Sequence, residues 1–329
     1  MITLYVFNPE HDIALANGDP NCVPPANIVD FATRDALLMP IADGVIRDRT
    51  DIGDDSFKVV VDKSKVVEPH PAYVDWSELS ELEIDRVEVW GWDTAICQKL
   101  RKAGVAEHLF PSSEELSCIK ELSHRRTAMQ ANEYIADRTG ESFHIVKEFF
   151  STDDIVGFLH KHTNIVLKSP FSGSGRGLRW GKAPLSHSDI GWMNNILEKQ
   201  GSVMAELRHE IVVDFASLFY CDNDKVEFVG FSLFETRNGA YQRNIISSDE
   251  EIISTLCNYI ENSQLEEIVS LVKDFLTLRF SKVYRGSIGV DMAICKVGTS
   301  YRLIPIIEIN VRRTMGFVYH NSFTIAFLK

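Results

Sequence analysis

Short apolar runs alternate with amphipathic stretches through the first third of the chain. Three of these runs predict buried strands: ITLYVF at 2–7, FKVVVD at 57–62 and VEVW at 87–90. Helical patterns follow at 31–38 and at 93–102, where a glycine at 104 marks the helix end. Strands that alternate with helices are typical of a parallel sheet in α/β layers, which we predict for residues 1–115.

The pattern changes after Ser112, where PSSE indicates the start of a helix. Residues 120–205 show the order strand, helix, strand, glycine-rich loop, strand, helix, strand, which is α+β in character. Residues 206–329 contain four long apolar strands, IVVDFASLFYC, KVEFVGFSLFETR, SIGVDMAICK and YRLIPIIEINV, with a helical region at 249–279 between the second and third. The predicted fold class is therefore α/β and α+β, with antiparallel sheets after the first domain.

Composition supports a folded protein and limits its partners. Hydrophobic residues make up 45% and charged residues 25% of the chain, as in average globular domains. The 34 Lys and Arg against 47 Asp and Glu leave a net charge of −13. That overall charge repels nucleic acids and anionic lipids, so we expect neither a nucleic-acid nor a membrane partner. Any anionic ligand requires a local cluster of cations.

The six cysteines lie far apart and form no CxxC pair, which indicates reduced thiols rather than a zinc ribbon or a disulfide framework. No apolar run approaches the ~18 residues of a membrane helix. Glu10 and Asp12 interrupt the first apolar segment before a signal-type core develops. These features predict a cytoplasmic protein.

A glycine-rich loop follows a predicted strand in IVLKSPFSGSGRGLRW. The strand ends on Lys168, and the loop contains Ser172, Gly173, Ser174, Gly175, Arg176 and Gly177. Glycine permits close backbone approach, so successive N–H groups can surround an anion such as phosphate. The loop is neither a P-loop nor a dinucleotide fingerprint. An ordinary hairpin loop with incidental glycines is the alternative interpretation.

Two carboxylates and an amide stand near the C-terminus in GVDMAIC and IPIIEIN. If the hairpin between these strands turns near Gly298, Asp291 lies opposite about Ile306, and Glu308 and Asn310 share its face. Hard oxygen ligands of this kind suit Mg²⁺. A solvated strand edge is the alternative, but the surrounding run is too apolar to favour it.

Together these segments resemble the ATP-grasp superfamily, which includes D-alanine:D-alanine ligase and biotin carboxylase. The resemblance covers about residues 120–325, and its most specific piece is the ending EINVR. It implies a small lobe over 120–205 with the glycine-rich loop, a large lobe over 206–329 with the metal site, and a preceding α/β domain over 1–115. It also implies ATP with Mg²⁺ or Mn²⁺ as cofactors. A homodimer is the oligomeric state that the resemblance suggests.

The resemblance implies a role for each matching residue. Lys168 and the loop from Ser172 to Arg176 would contact the nucleotide phosphates, and Glu206 and Leu207 the adenine and ribose. Asp214 would bind the ribose, with Glu210 as a competitor. Asp291, Glu308 and Asn310 match the magnesium ligands, and Arg312 matches the arginine that steadies an acyl phosphate. One lysine of the first lobe is replaced by Arg125 or Arg126.

Enzymes of this type use ATP to convert a carboxylate into an acyl phosphate, which an amine or similar nucleophile then attacks. The expected substrates are a small-molecule or peptide carboxylate and an amine. Arg243 is a second candidate for holding the acceptor carboxylate, or else a surface arginine paired with Glu235. Two N-terminal clusters are candidates for the acceptor pocket. The first contains Asn8, Glu10, His11 and Asp12, and the second contains Trp90, Trp92 and Asp93. The alternative is that they are ordinary packing and capping groups. A kinase and a catalytically silent ATP-binding protein remain as alternatives.

Overall fold

The computed structural model describes residues 2–25, 59–63, 72–173, 177–222 and 224–326. The helix predicted at 31–38 lies outside the described residues, as do Ser174, Gly175 and Arg176 of the glycine-rich loop. Among the described helices, none is both long enough and apolar enough to cross a lipid bilayer.

The N-terminal domain is an α/β unit around a four-stranded sheet. Its strands are β1 (Ile2–Val6), β2 (Val59–Lys63), β3 (Ala72–Val74) and β4 (Arg86–Val89), in the order β3-β2-β1-β4. Strands β1 and β4 are parallel, and β2 and β3 extend the sheet in antiparallel fashion. The helices are α1 (His11–Asn17) and α2 (Thr94–Lys102). The parallel pair brings the ends of β1 and β4 to the same edge of the sheet.

Local sequence explains where the first helices begin. The Asp93 side chain accepts a hydrogen bond from the Ile96 N–H at 2.8 Å and thereby caps α2. Ser112 and Glu115 form a reciprocal capping box at the start of α3 (Ser113–Ser123), at the predicted PSSE site. Each cap satisfies backbone N–H groups that the first helical turn leaves without partners.

The small lobe is an antiparallel sheet covered by helices on one face. Its strands are β5 (Val146–Phe149), β6 (Asn164–Lys168), β7 (Leu178–Lys182) and β8 (Val203–Leu207), in the order β5-β8-β6-β7. The covering helices are α5 (Thr152–Lys161) and α6 (His187–Gln200). Ile165 and Leu167 pack against them, so the alternate residues Val166 and Lys168 face the other way. That free face becomes one wall of the cleft described below.

The large lobe is a five-stranded antiparallel sheet. Its strands are β9 (Glu210–Asp222), β10 (Lys225–Arg237), β11 (Ala240–Ile245), β12 (Gly286–Val297) and β13 (Ser300–Asn310), in the order β11-β10-β9-β12-β13. Three helices, α4 (Arg126–Thr139), α7 (Asp249–Leu256) and α8 (Asn262–Phe280), contribute to the same apolar core. A final helix, α9 (Met315–Ala326), follows.

Alternation along the large-lobe strands places polar groups on the face away from this core. Phe215 and Phe219 of β9 and Val290 of β12 lie in the core. Asp214 and Asp291 occupy the intervening positions and therefore point to the opposite face. The large lobe thus contributes a second, acidic wall to the cleft.

The hairpin between β12 and β13 differs from the sequence prediction by two residues. The turn lies at Gly298, whose φ of +64° suits glycine, and Ala293 pairs with Ile304 as that turn predicts. A β-bulge then makes Glu308, rather than the predicted Ile306, the cross-strand partner of Asp291, so the predicted pairing was wrong. The bulged stretch contains Pro305, which has no N–H to donate to a regular ladder. Because the shift is even, Glu308 and Asn310 keep the face of Asp291.

Arg313, directly after β13, joins the large lobe to the N-terminal domain. Its backbone N–H donates to the Trp90 carbonyl at 2.9 Å, and its side chain donates to the Val89 carbonyl at 2.6 Å. The guanidinium also pairs with the Glu88 carboxylate at 2.5 Å. These contacts fix the end of β4 beside the end of β13.

Candidate active site

A cleft of about 780 Å³ lies between the two lobes, and the N-terminal domain closes one end of it. This volume falls in the range of small-molecule sites. From the described part of the N-terminal domain, Pro9, Asp12 and Trp90 line the cleft. Ten of the predicted site residues line the cleft: Arg125, Lys168, Glu206, Leu207, Asp214, Arg243, Asp291, Glu308, Asn310 and Arg312.

Arg125 connects the glycine-rich loop with the acidic wall. Its guanidinium donates to the Ser172 carbonyl at 3.0 Å and pairs with Glu308 at 2.9 Å. It also donates to the Ser169 carbonyl at 3.0 Å. The remaining nitrogen, Nη1, is buried and has no hydrogen-bond acceptor among the described residues. A buried donor without a partner is costly, so an anionic ligand at this point would satisfy it.

Arg126, the other arginine considered at this position, points elsewhere. It forms a two-bond pair with Glu148 on β5, at 2.5 and 2.6 Å. It does not line the cleft. The structure therefore places Arg125, rather than Arg126, beside the glycine-rich loop.

Lys168 and Glu206 form a buried ion pair on the small-lobe wall, with Nζ and Oε1 2.6 Å apart. The pair forms because β6 and β8 are neighbours: Val166 pairs with Glu206, and Lys168 lies diagonally across on the same face. Because an ammonium group has three N–H donors, a phosphate that reached Lys168 could bind beside Glu206 or in its place.

Two histidines stand beside this pair. The ring nitrogens His144 Nδ1 and His209 Nε2 are 3.1 Å apart, so one donates a hydrogen bond to the other. Burial, the largest cause, lowers the pKa of His144 to about 4, and neighbouring Glu206 opposes this effect. A neutral histidine therefore lies next to the charged Lys168–Glu206 pair.

Asp291, Glu308 and Asn310 form the acidic wall. Asp291 pairs directly with Glu308 across the strands, and the Asn310 amide donates to Asp291 at 3.2 Å. Burial, and then the charge of Glu308, raise the pKa of Asp291 to about 7. The neighbouring Glu308 carboxylate thus opposes ionisation of Asp291, and a divalent cation at the two side chains would relieve the repulsion.

The donor set therefore fits Mg²⁺, with the Asn310 amide oxygen as a third protein ligand. In the described ranges, no group of three or more His, Cys, Asp and Glu side chains is arranged to hold a metal ion. The Asp291, Glu308 and Asn310 set has only two carboxylates, so the amide is an essential part of this assignment.

Arg312 is held by Asp12 of the N-terminal domain. Its Nε and Nη2 atoms donate to the two carboxylate oxygens of Asp12 at 3.2 and 2.9 Å. Gly173 of the glycine-rich loop lies against the same pair, because a Cβ at this position would overlap the Asp12 carboxylate. Arg312, Asp12 and the start of the loop thus meet at one point.

Arg243 and Asp214 line the large-lobe side of the cleft. Arg243 is exposed and forms a two-bond pair with Glu235, at 2.8 and 2.9 Å, which is the alternative that the sequence left open. Asp214 accepts a hydrogen bond from Thr236 at 2.7 Å, and burial raises its pKa. Glu210, its competitor for the ribose, also lines the cleft.

The two N-terminal clusters are only partly in the cleft. Asn8 and His11 both bond to Asp93, at 3.2 and 3.0 Å, and these three residues are buried below the ends of β1 and β4. Trp92 packs near Phe110 in the N-terminal core. Of the residues in these two clusters, Asp12 and Trp90 reach the cleft, where Pro9 also lies.

Sequence reasoning missed several residues of the cleft, including His144, His209, Tyr241, Asn244 and Tyr319. It also missed Trp180, which is 43% exposed and has the Arg208 guanidinium 4.7 Å from its ring centroid. A tryptophan on the strand directly after a glycine-rich loop was the available signal for Trp180. The other residues show no sequence pattern that marks them.

Comparison with solved structures defines the class of fold. The chain aligns with the biotin carboxylase domain of Hydrogenobacter thermophilus 2-oxoglutarate carboxylase, in complex with MgADP, ADP and bicarbonate, at 14% identity and a TM-score of 0.50. The alignment covers 79% of this chain and 58% of that one. The chain thus has the ATP-grasp fold.

Two further solved structures are similar to the chain at lower TM-scores. One is the N5-carboxyaminoimidazole synthetase of Staphylococcus aureus complexed with ADP: 16% identity, TM-score 0.48, 75% of this chain and 62% of that one. The other is the D-alanyl-alanine synthetase A of Vibrio cholerae: 13% identity, TM-score 0.45, 77% of this chain and 70% of that one. The chain therefore covers about three fifths of the length of the Staphylococcus aureus synthetase and of the carboxylase domain. No family model matches the sequence, and no curated protein matches it either.

Proposed function

We propose that this protein is an ATP- and magnesium-dependent ligase that activates a carboxylate as an acyl phosphate for attack by an amine or similar nucleophile. The observation that carries the proposal is the position of Arg125. It bonds to Ser172 of the glycine-rich loop and to Glu308 of the acidic wall, and it keeps one buried donor without a partner. One anionic ligand at this point would contact both walls of the cleft.

The residues of the chain divide into phosphate, metal and nucleoside groups. Lys168, Arg125 and the glycine-rich loop are the cationic and N–H donors for the phosphates. Asp291, Glu308 and Asn310 would hold Mg²⁺, or Mn²⁺, which neutralises charge on the phosphate oxygens when bound. The remaining residues, Glu206, Leu207 and Asp214, are proposed for the adenine and ribose.

The proposed reaction has two balanced steps. A carboxylate oxygen of the substrate attacks the γ-phosphorus of ATP, the bond from that phosphorus to ADP breaks, and an acyl phosphate forms. The amine then attacks the acyl carbon; the new C–N bond forms, phosphate leaves, and the amine loses a proton. Arg312 would neutralise the phosphoryl group through both steps. Arg243 is a second candidate for the acceptor carboxylate, and Asp12 and Trp90 mark the N-terminal side of the acceptor pocket.

Calorimetric titration with MgADP tests nucleotide binding first. The wild-type protein should bind MgADP more tightly than ADP alone, and Glu308→Gln should remove that magnesium dependence because it removes one metal-type carboxylate. Glu107→Gln, on an exposed turn remote from the cleft, is the matched control and should behave as wild type. A folded wild-type protein that binds no nucleotide would overturn the proposal.

A screen of carboxylates and amines for ADP release then separates three activities. A ligase releases ADP and phosphate only when acid and amine are both present, and Glu308→Gln abolishes that release. A stable phosphorylated product without ligation would identify a kinase instead. Nucleotide binding without ADP release under any combination would identify a silent ATP-binding protein.

A further inference from the structure

The Asp12–Arg312 pair joins the N-terminal domain to the end of β13 across 300 residues of sequence. Both carboxylate oxygens of Asp12 accept hydrogen bonds from Arg312, and the pair is mostly buried, with side-chain exposures of 23% and 12%. A third nitrogen, Nη1 of Arg312, donates to the Arg313 carbonyl at 3.2 Å. The guanidinium plane is therefore fixed at three nitrogens.

This arrangement leaves one edge of the guanidinium for a ligand. An arginine side chain has five N–H donors. Asp12 takes the edge formed by Nε and Nη2, and the Arg313 carbonyl takes one N–H of Nη1. One N–H on Nη1 and one on Nη2 remain, and this pair of donors suits two oxygens of a phosphate or carboxylate.

The glycine-rich loop rests on the same pair. A Cβ at Gly173 would overlap Oδ2 of Asp12 and lie 3.3 Å from Nη2 of Arg312. Asp12 therefore contacts Arg312 and adjoins the loop, while Asp291 and Glu308 are close enough to act electrostatically on Arg312. The N-terminal domain reaches the place where the proposed phosphoryl transfer occurs.

The Asp12–Arg312 pair is one of several contacts between the large lobe and the N-terminal domain. Arg313 already provides three bonds between the large lobe and the N-terminal domain, to Trp90, Val89 and Glu88. A mostly buried ion pair adds little to stability compared with apolar packing, because both ions lose their hydration. A role in orienting Arg312 accounts for the geometry better than a role in attachment.

We propose that Asp12 is a positioning residue of the active site, which fixes the guanidinium of Arg312 so that its free edge meets the transferring phosphoryl group. The inference rests on the proposed ligase function, because Arg312 has its role in that reaction. Asp12 itself does not touch the reacting atoms.

A double-mutant cycle in the ADP-release assay tests the proposal. Asp12→Asn should lower kcat on the order of 10²-fold, as expected when a reacting group is misplaced, and should change the MgADP Kd by less than about twofold. In the Arg312→Lys background the same substitution should have no further effect on kcat, because no guanidinium remains to be oriented. Asp12→Glu, which keeps the carboxylate, should retain more of kcat than Asp12→Asn.

The control is Asp19→Asn, an exposed carboxylate of the same N-terminal segment, which should leave kcat unchanged. If the effects of Asp12→Asn and Arg312→Lys multiply as for independent sites, the positioning role is wrong. It is also wrong if Asp12→Asn lowers only the MgADP affinity and leaves kcat intact.

Nuclear magnetic resonance of the arginine side chains gives a readout that does not depend on turnover. With ¹⁵N-labelled arginine, the Nε–H signal of Arg312 is assigned by its absence from Arg312→Lys. In the wild type this proton should exchange slowly with water, and Asp12→Asn should shift the signal and speed its exchange. If the signal is unchanged in Asp12→Asn, the positioning role of Asp12 is wrong but the ligase proposal stands. If the wild-type protein releases no ADP with any acid and amine, the ligase proposal is wrong.

Discussion

Three largely buried cations that line the described part of the cleft already have carboxylate partners, in the pairs Lys168–Glu206, Arg125–Glu308 and Arg312–Asp12. These pairs keep the local charge close to balance in a chain with a net charge of −13. In the proposed function, a nucleotide phosphate at Lys168 would compete with the Glu206 carboxylate for its N–H donors. In the same proposal, Mg²⁺ would compensate any carboxylate that loses a partner, which would couple metal binding to nucleotide binding.

The buried His144 predicts a specific pH dependence of stability. Its pKa lies at about 4 in the folded protein, below the ordinary value of 6.5, because burial disfavours the charged ring. Its contribution is thus fully present above pH 6.5 and is lost as the pH falls toward 4. By pH 5 the loss amounts to about 2 kcal/mol. Urea unfolding at pH 7.5 and pH 5 should show a smaller fall in unfolding free energy for His144→Gln than for the wild type.

The matched control for this experiment is His108→Gln, because His108 is exposed on a short turn of the N-terminal domain. It should show the same loss of stability as the wild type between the two pH values. A fall for His144→Gln as large as that of the wild type would contradict the prediction.

Helix starts were predictable because their causes are local. Ser112 and Glu115 stand three residues apart, and Asp93 directly precedes its helix, so the caps can be seen in the sequence. The bulge near Pro305 depends on how two strands pair, and the predicted partner of Asp291 was therefore wrong. The shared face of Asp291 and Glu308 was nevertheless correct, because a shift of two residues preserves alternation.

Partners that come from distant segments were not predictable. Asp12 meets Arg312 across 300 residues, and His144 meets His209 across 65, and nothing in either local pattern names the other residue. The sequence also left Arg125 and Arg126 open. Only the position of the first turn of α4 shows that Arg126 faces Glu148 while Arg125 faces the cleft.

The glycine-rich loop gives a prediction at the level of one element. Gly173→Ala would place a methyl group into the Asp12 carboxylate, so the loop must move away from the Asp12–Arg312 pair. Moving the loop away avoids the cost of overpacking, which is about 1–3 kcal/mol where the neighbours cannot shift. We expect the calorimetric affinity for MgATP to fall on the order of tenfold, with little change in Tm.

Gly157→Ala is the control for this prediction. Gly157 lies in α5, and a Cβ there meets no atom within 4 Å. This substitution should leave the affinity for MgATP unchanged and should stabilise the helix slightly. Equal affinities for the wild type and Gly173→Ala would show that the loop does not rest on Asp12 when nucleotide is bound.

The cleft depends on all three parts of the molecule, and Arg313 holds two of them together. It is 7% exposed and bonds to Trp90, Val89 and Glu88 at the edge of the N-terminal sheet. The segments that contain Asp12 and Trp90 follow β1 and β4 at this same edge of the sheet. The position of the N-terminal domain therefore determines one end of the cleft.

Arg313→Ala should loosen this attachment. It removes the side-chain donor to Glu88 and to the Val89 carbonyl, whereas the backbone N–H bond to Trp90 remains. Breaking a buried pair typically costs about 3–5 kcal/mol. We expect a lower Tm, faster proteolysis between the N-terminal domain and the lobes, and weaker MgADP binding.

Arg285→Ala, which breaks an exposed pair with Asp222, is the matched control and should cost less than about 1 kcal/mol. Replacing both partners, as in Arg313→Met with Glu88→Gln, should recover part of the Tm. A Tm for Arg313→Ala equal to that of Arg285→Ala would show that other contacts hold the domain.

The contact between residues 12 and 312 also has a consequence for biosynthesis. A ribosome makes the first of these residues long before the second, and closing a loop of 300 residues carries an entropic cost of about 5 kcal/mol. Early domains can fold as they emerge, but the cleft is completed only when the segment after β13, which carries Arg312, has left the exit tunnel. A nascent chain that stalls before that strand would hold the glycine-rich loop without the arginine it faces.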